Sequence, residues 1–220
     1  MKNFMRILYI VIAVIVMAGC SEKNTKEDYD ISIISKNKVS LFKQEDGSIR
    51  LQKEIKRSED YGFLKEDYYN QKDKMYLKTT VVGKDALLAK IDKESLNIKL
   101  KEDNSEPYTF THYKNKIYAT TLFANSFNII EYDESFNEVN KKEIKKDGVN
   151  VTNDIQVYED NIYILGGNID KNNQLRNLIW KFDMSYNLVE EIDLNYSQGA
   201  YMRFYIKDDV IYLTQNSQGL

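Results

Sequence analysis

Glu159-Asp160-Asn161-Ile162-Tyr163-Ile164 decides the fold of this chain, because its pattern recurs. Lys72-Asp73-Lys74-Met75-Tyr76-Leu77, Lys114-Asn115-Lys116-Ile117-Tyr118-Ala119 and Asp208-Asp209-Val210-Ile211-Tyr212-Leu213 have the same form: a polar turn, then an apolar-Tyr pair. The tyrosines stand 42, 45 and 49 residues apart. A second motif follows the first three copies: Lys90-Ile91-Asp92, Glu131-Tyr132-Asp133 and Lys181-Phe182-Asp183. Its aspartate opens a turn, DKESLN over 92–97, DESFN over 133–137 and DMSYN over 183–187. A third motif closes the unit at Gln52–Ile55, Lys141–Ile144 and Val189–Ile192, with its missing copy expected near Leu100. Linked motifs in phase, at a period of about 40 to 50 residues, are the signature of a repeat architecture.

Each unit divides into four short strands. The first precedes the polar turn, as in Tyr108–Tyr113, Asp154–Tyr158 and Tyr201–Ile206. The second carries the apolar-Tyr pair, the third ends at the aspartate, and the fourth runs to the closing Ile. Ile, Val, Tyr, Phe and Thr dominate these stretches, and such side chains suit a pleated surface. Asn and Asp fill the connectors, where they tolerate left-handed backbone, so nine glycines suffice for many turns. Gly166-Gly167 is expected to be another turn, and Lys84–Lys90 is either a helical turn or the start of a strand.

The body therefore resembles a β-propeller from about residue 30 to its end. The stretch from Asn161 to Gly167, followed by Trp180 and Asp183, looks like a kelch repeat, whereas the Trp-Asp dipeptide of WD40 repeats is absent. The resemblance implies an all-β fold of about four repeats, each a four-stranded antiparallel blade. A hairpin, Val39–Gln44 and Ser48–Ile55 around Asp46-Gly47, resembles the outer half of a blade. The strands around Ile211-Tyr212 would supply the inner half, closing the ring by a shared blade. A longer propeller with further blades and a β-sandwich are the other arrangements considered.

At the other end, Lys2 and Arg6 flank a basic start, and Ile7–Met17 is an almost unbroken apolar run. That run is shorter than the ~20 residues an ordinary membrane-spanning helix needs. Small residues Ala18 and Gly19 then precede Cys20, the one cysteine of the chain. A basic segment, an apolar segment and small residues form a secretory signal. Met17-Ala18-Gly19-Cys20 resembles the lipobox of bacterial lipoproteins. The resemblance implies that residues 1–19 are a signal peptide, and that Cys20 is lipidated and becomes the first residue. The protein would then sit on the extracytoplasmic face of the cell membrane. Residues 20–29 carry no large apolar side chain until Tyr29 and are expected to be a tether. The repeat domain would fill 30–220.

Removing Lys2 and Arg6 from the 31 basic residues leaves 29 against 34 acidic ones, a net charge of −5. That balance excludes a general nucleic-acid binder, which needs a basic face. With one cysteine, no disulfide forms within the chain. His112 is the single histidine, expected in a strand lining the central channel with a local hydrogen bond. No Ser-His-Asp layout, phosphate loop or zinc motif is present. The acidic pairs Glu159-Asp160 and Asp208-Asp209, and the aspartates 92, 133 and 183, recur at matching positions of the repeat. Turn chemistry repeats in that way, whereas catalysis needs one special constellation. No catalytic set, cofactor or metal site is expected.

Tyrosine is abundant, with 17 copies. Tyr76, Tyr118, Tyr163 and Tyr212 are expected in the core. Tyr61, Tyr108, Tyr201 and Tyr205, on the inner strands, are the candidates for contact with a protein or glycan ligand. The expectation is a membrane-anchored binding or scaffold module. Its alternatives are a lipoprotein enzyme acting on glycan or peptide through carboxylates at the channel mouth, or a truncated propeller without independent function.

Overall fold

The computed structural model describes residues 31–35, 38–56, 61–71, 73–81, 84–101, 107–121, 126–146, 149–169, 172, 174–196 and 201–215. The expected signal peptide, Cys20 and the tether lie outside the described residues. Among these residues every element is a strand. Sheet one holds β1 (Ile31–Ser35), β2 (Lys38–Glu45) and β3 (Ser48–Lys56). Sheet two holds β4 (Tyr61–Asn70), β5 (Lys74–Val81), β6 (Lys84–Asp92) and β7 (Ile98–Leu100). Sheet three holds β8 (Pro107–Tyr113), β9 (Lys116–Thr121), β10 (Ser126–Asp133) and β11 (Glu138–Lys145). Sheet four holds β12 (Val149–Tyr158), β13 (Asn161–Ile169), β14 (Leu175–Asp183) and β15 (Leu188–Tyr196). Sheet five holds β16 (Tyr201–Lys207) and β17 (Val210–Gln215).

The turns follow the sequence motifs. Lys114-Asn115, Glu159-Asp160, Asp208-Asp209 and Asp46-Gly47 all have positive φ, between 46° and 74°. Two such residues in succession make the tight hairpin whose twist matches the strands it joins. The second turn uses a different device. Asp133 Oδ1 accepts the backbone N–H of Ser135 at 2.8 Å and of Asn137 at 2.9 Å. Asp183 does the same for Ser185 at 2.9 Å and Asn187 at 2.8 Å. These bonds hold Phe136 and Tyr186 at φ of 66° and 63°, where a bulky side chain is rare, and burial of both rings offsets the cost.

The sheets stack on one another by a fixed rule. The face of sheet two bearing Tyr76 and Leu88 packs on Phe110, Ile117, Ile130 and Tyr132 of sheet three. Tyr118, Phe127 and Ile129 of sheet three pack in turn on Ile162, Ile164, Trp180 and Phe182 of sheet four. Leu165 and Ile179, with Tyr163 beside them, pack on Phe204, Ile206, Ile211 and Leu213 of sheet five. Val39, Leu41 and Ile55 of sheet one cover Met75, Leu77, Ala89 and Ile91 of sheet two. Each sheet thus presents its tyrosine-side face to the opposite face of the next. The first strands align along the array: β4 lies against β8, β8 against β12, and β12 against β16. Polar bonds pin the seams, including Lys74–Glu134 at 2.7 Å and Lys146–Glu191 at 2.9 Å.

Two expectations need correction. The ring does not close by a shared blade among the described residues. Hairpin β2–β3 has β1 hydrogen-bonded along the inner edge of β2, from Ile31↔Phe42 to Ser35↔Lys38, and that is the edge β17 would need. By its place in the repeat, β1 is a second strand, so sheet one contains the second, third and fourth strands of a unit. Gly166 and Gly167 are buried inside β13 and are not a turn. A Cβ at Gly166 would meet the Val151 carbonyl oxygen at 2.2 Å and Trp180 at 2.6 Å, so glycine admits the indole against the backbone. Two other expectations hold: of the two readings left open for Lys84–Lys90 the strand is the one formed, as part of β6 (Lys84–Asp92), and the missing third motif lies near Leu100 as β7 at Ile98–Leu100.

Candidate functional site

The inner strands do not gather the four candidate tyrosines into one site. Tyr61 begins β4, where its backbone pairs with Val81, and its side chain lies outside the described residues. Tyr108 is half-buried at the seam of sheets two and three; Lys78 Nζ lies 4.9 Å over its ring and donates to its carbonyl oxygen. Tyr201 is half-buried beside the sheet-five core. Its N–H donates to Asn177 Oδ1 at 3.2 Å and its carbonyl accepts from Asn153 Nδ2 at 2.8 Å. Tyr205 alone among the described three is exposed, at 58%.

Tyr205 has an unexpected neighbour. It pairs directly with Tyr212 across β16–β17, flanked by Arg203↔Thr214 and Lys207↔Val210. Tyr212 is 55% exposed and Val210 48% exposed. Tyr76 and Tyr118 are buried as expected, and Tyr163 is half-buried, but Tyr212 is not a core residue. The reason is the stacking rule: the tyrosine-side face is covered by the next sheet, and sheet five has none over it among the described residues. Its other face is anchored by Phe204 and Ile206, and Phe204 N–H donates to the buried Asp154 Oδ2 at 3.1 Å. The result is a docked two-stranded sheet that presents two adjacent phenol rings with Lys207 beside them, while Arg203 Nη1 lies 3.4 Å from Asp154. Such a surface offers apolar area, hydrogen-bonding tips and positive charge together. Reading strand pairs instead of single strands would have placed Tyr205 beside Tyr212.

His112 is elsewhere, and it does not line a channel. It is buried at the seam of sheets two and three, stacked on Tyr69 at 4.7 Å and Tyr76 at 5.2 Å between ring centroids. Its Nε2 lies 3.5 Å from Glu134 Oε1, and Gln71 Nε2 sits 3.4 Å from the same nitrogen. Burial lowers the imidazole pKa below the ordinary value, against the pull of Glu134, so the ring is neutral at pH 7. Burial would raise Glu134, but its bond to Lys74 and the lysine charge bring it below the usual carboxylate range. This set closes a seam between sheets.

The recurring carboxylates are engaged in turns. Asp92, Asp133 and Asp183 accept backbone N–H groups of their own loops. Asp160 accepts from Lys114 at 2.6 Å and from the Tyr113 hydroxyl at 3.1 Å, linking sheets three and four. A groove of about 590 Å³ is lined by Ile98–Lys101 and Ser135–Asn137. Lys101 lies buried at one end of it, with Nζ 4.7 Å over the Tyr132 ring, and burial pushes its pKa down to about 8. Among the described residues no group of three or more His, Cys, Asp or Glu side chains is placed to hold a metal ion.

No family model and no curated protein matches this chain. Solved structures do. A member of the DUF4221 family from Bacteroides vulgatus is 10% identical with a TM-score of 0.52, over 82% of this chain and 67% of that one. The Dos1 propeller is 8% identical with a TM-score of 0.50, over 83% of this chain and 62% of that one. A eukaryotic initiation factor, 10% identical with a TM-score of 0.48, is covered over 44% of its length. The chain therefore spans 44% to 67% of the length of these structures. At such identities the likeness is one of fold alone: the chain is an all-β, propeller-like array of antiparallel sheets.

Proposed function

We propose that this protein is an extracytoplasmic binding or scaffold module, held on a membrane by lipid on Cys20 and making contact through the exposed face of sheet five. The observation that carries the reading is the Tyr205–Tyr212 pair: two adjacent, half-exposed phenol rings on a rigidly docked sheet. Aromatic rings with polar tips bind proteins and glycans at low entropic cost, because few torsions are frozen. Two acyl chains on Cys20, at ~0.8 kcal/mol per buried CH₂, would make the anchoring stable where one chain is marginal. The short segment before Ile31 would then keep the body near the membrane face.

The test replaces Tyr212 by a photo-crosslinking phenylalanine analogue in cells that export the protein, with Tyr186 as the buried control. Crosslinking at position 212 to a protein or glycan, with none at 186, is the expected result. Crosslinks from other faces and none from 205 or 212 would move the contact surface elsewhere.

A further inference from the structure

We propose that the groove between sheets two and three is a covalent binding site, in which Lys101 forms an imine with a small aldehyde or ketone that has an apolar body. The repeat supplies the comparison. Where a fourth strand reaches into the seam with the following sheet, it does so with isoleucine: Ile55 between sheets one and two, Ile144 between three and four, and Ile192 between four and five. Between sheets two and three that place falls to Lys101. Leu100 and Ile98 pack toward sheet one, so strand alternation turns the next residue, Lys101, toward sheet three. Its N–H donates to the Leu88 carbonyl at 2.9 Å, and Leu88 belongs to the core shared with sheet three. Lys101 is 2% exposed, with Nζ 4.7 Å over the Tyr132 ring of β10. Burying an ammonium where the other units bury isoleucine costs desolvation, and packing alone gives no reason for it. Turn chemistry repeats from unit to unit, whereas this lysine occurs in one.

The groove gives that amine something to meet. Its volume of about 590 Å³ is that of a small-molecule site. Ile98, Leu100 and Phe136 give it apolar walls, and Ser135 and Asn137 polar ones. Lys99 Nζ donates to the Ser135 carbonyl at 3.0 Å and ties the two sides together. Burial makes the Lys101 amine a nucleophile: it lowers the pKa to about 8, while Glu138 of β11 pulls upward and Lys141 downward more weakly. About a tenth of the amine is then neutral at pH 7. Its flexible four-carbon stem lets the nitrogen turn from the Tyr132 ring to the groove. The neutral nitrogen adds to the carbonyl carbon, and the new C–N bond forms as a proton passes to the oxygen. The carbinolamine then loses that oxygen as water, leaving the C=N bond of the imine. The apolar walls take the body of the carbonyl compound.

The test treats the full chain, in mild detergent at pH 7, with hexanal and sodium cyanoborohydride, which reduces an imine to a stable amine. Peptide mass spectrometry then reads the alkylation of each lysine. Lys101 is expected to react about tenfold faster than the exposed Lys142, Lys145 and Lys207, its larger neutral fraction outweighing its lower basicity. The preference is expected to vanish in the urea-unfolded chain. Acetaldehyde in place of hexanal should lower the rate at Lys101 more than at the exposed lysines, because the walls hold the longer apolar body. Ser135→Trp, at an exposed position of the wall, should fill the groove and slow Lys101 alone, with an unchanged melting temperature. Lys101 reacting no faster than the exposed lysines overturns the proposal. So does a preference that survives unfolding, one that is the same for both aldehydes, or one untouched by Ser135→Trp.

Discussion

Asp133 does at one residue what many chains do with glycine. Its carboxylate takes up the N–H groups of Ser135 and Asn137 and the Asn137 amide at 2.7 Å, which holds Phe136 in left-handed backbone. Replacing it by Ala is expected to cost about 1 kcal/mol in urea unfolding, the usual net value of hydrogen bonds of this kind. The Asn137 side chain and the turn N–H groups hold the Asp133 carboxyl below the usual carboxylate range; Asn187 does so for Asp183, and Ser95 for Asp92. A depressed folded pKa contributes stability above the unfolded value of about 4, lost as pH falls through the folded value. An Asp92→Asn, Asp133→Asn, Asp183→Asn chain should therefore lose less stability between neutral and acid pH than wild type. Lys101 has the opposite sign. Its pKa falls from 10.5 to about 8 on burial, so the unfolded chain binds the extra proton between those values. Stability should rise across that interval, and Lys101→Met should flatten the rise in thermal melts.

At the scale of the element, sheet five depends on Asp154. That carboxylate is buried, accepts the Phe204 N–H at 3.1 Å and lies 3.4 Å from Arg203 Nη1. Asp154→Ala leaves that N–H without its acceptor and is expected to loosen sheet five by about 1 to 3 kcal/mol. Hydrogen exchange should quicken in residues 201–215 while sheets two and three stay protected. Gly166→Ala sets Cβ against the Val151 carbonyl and Trp180, an overpacking expected to cost at least ~1 to 3 kcal/mol in chemical unfolding. These elements also show what sequence reading reaches. Polar turns, apolar-Tyr pairs and Asp-to-Asn loops recur locally, so the strands and most of their ends were legible. Gly166-Gly167 was not, because its reason is Trp180 on the neighbouring strand. Tyr205 was legible as a surface candidate, but Tyr212 was not. Its local pattern equals that of Tyr76, and only the absence of a covering sheet separates them.

For the whole molecule, stacking order explains both stability and exposure. Among the described residues three four-stranded sheets lie between one of three strands and one of two, and these two carry exposed faces. Cys20→Ala is expected to shift the protein from the membrane fraction to the soluble exported fraction; full retention would contradict lipid anchoring. Each sheet is covered by the next, and among the described residues nothing covers the tyrosine face of sheet five. Hydroxyl-radical footprinting of the dilute protein, read by mass spectrometry at each tyrosine, tests it most directly. Fast oxidation is expected at Tyr205 and Tyr212, with strong protection at Tyr76, Tyr118 and Tyr186. Equal protection of Tyr212 and Tyr118 at concentrations where copies are separate would contradict it.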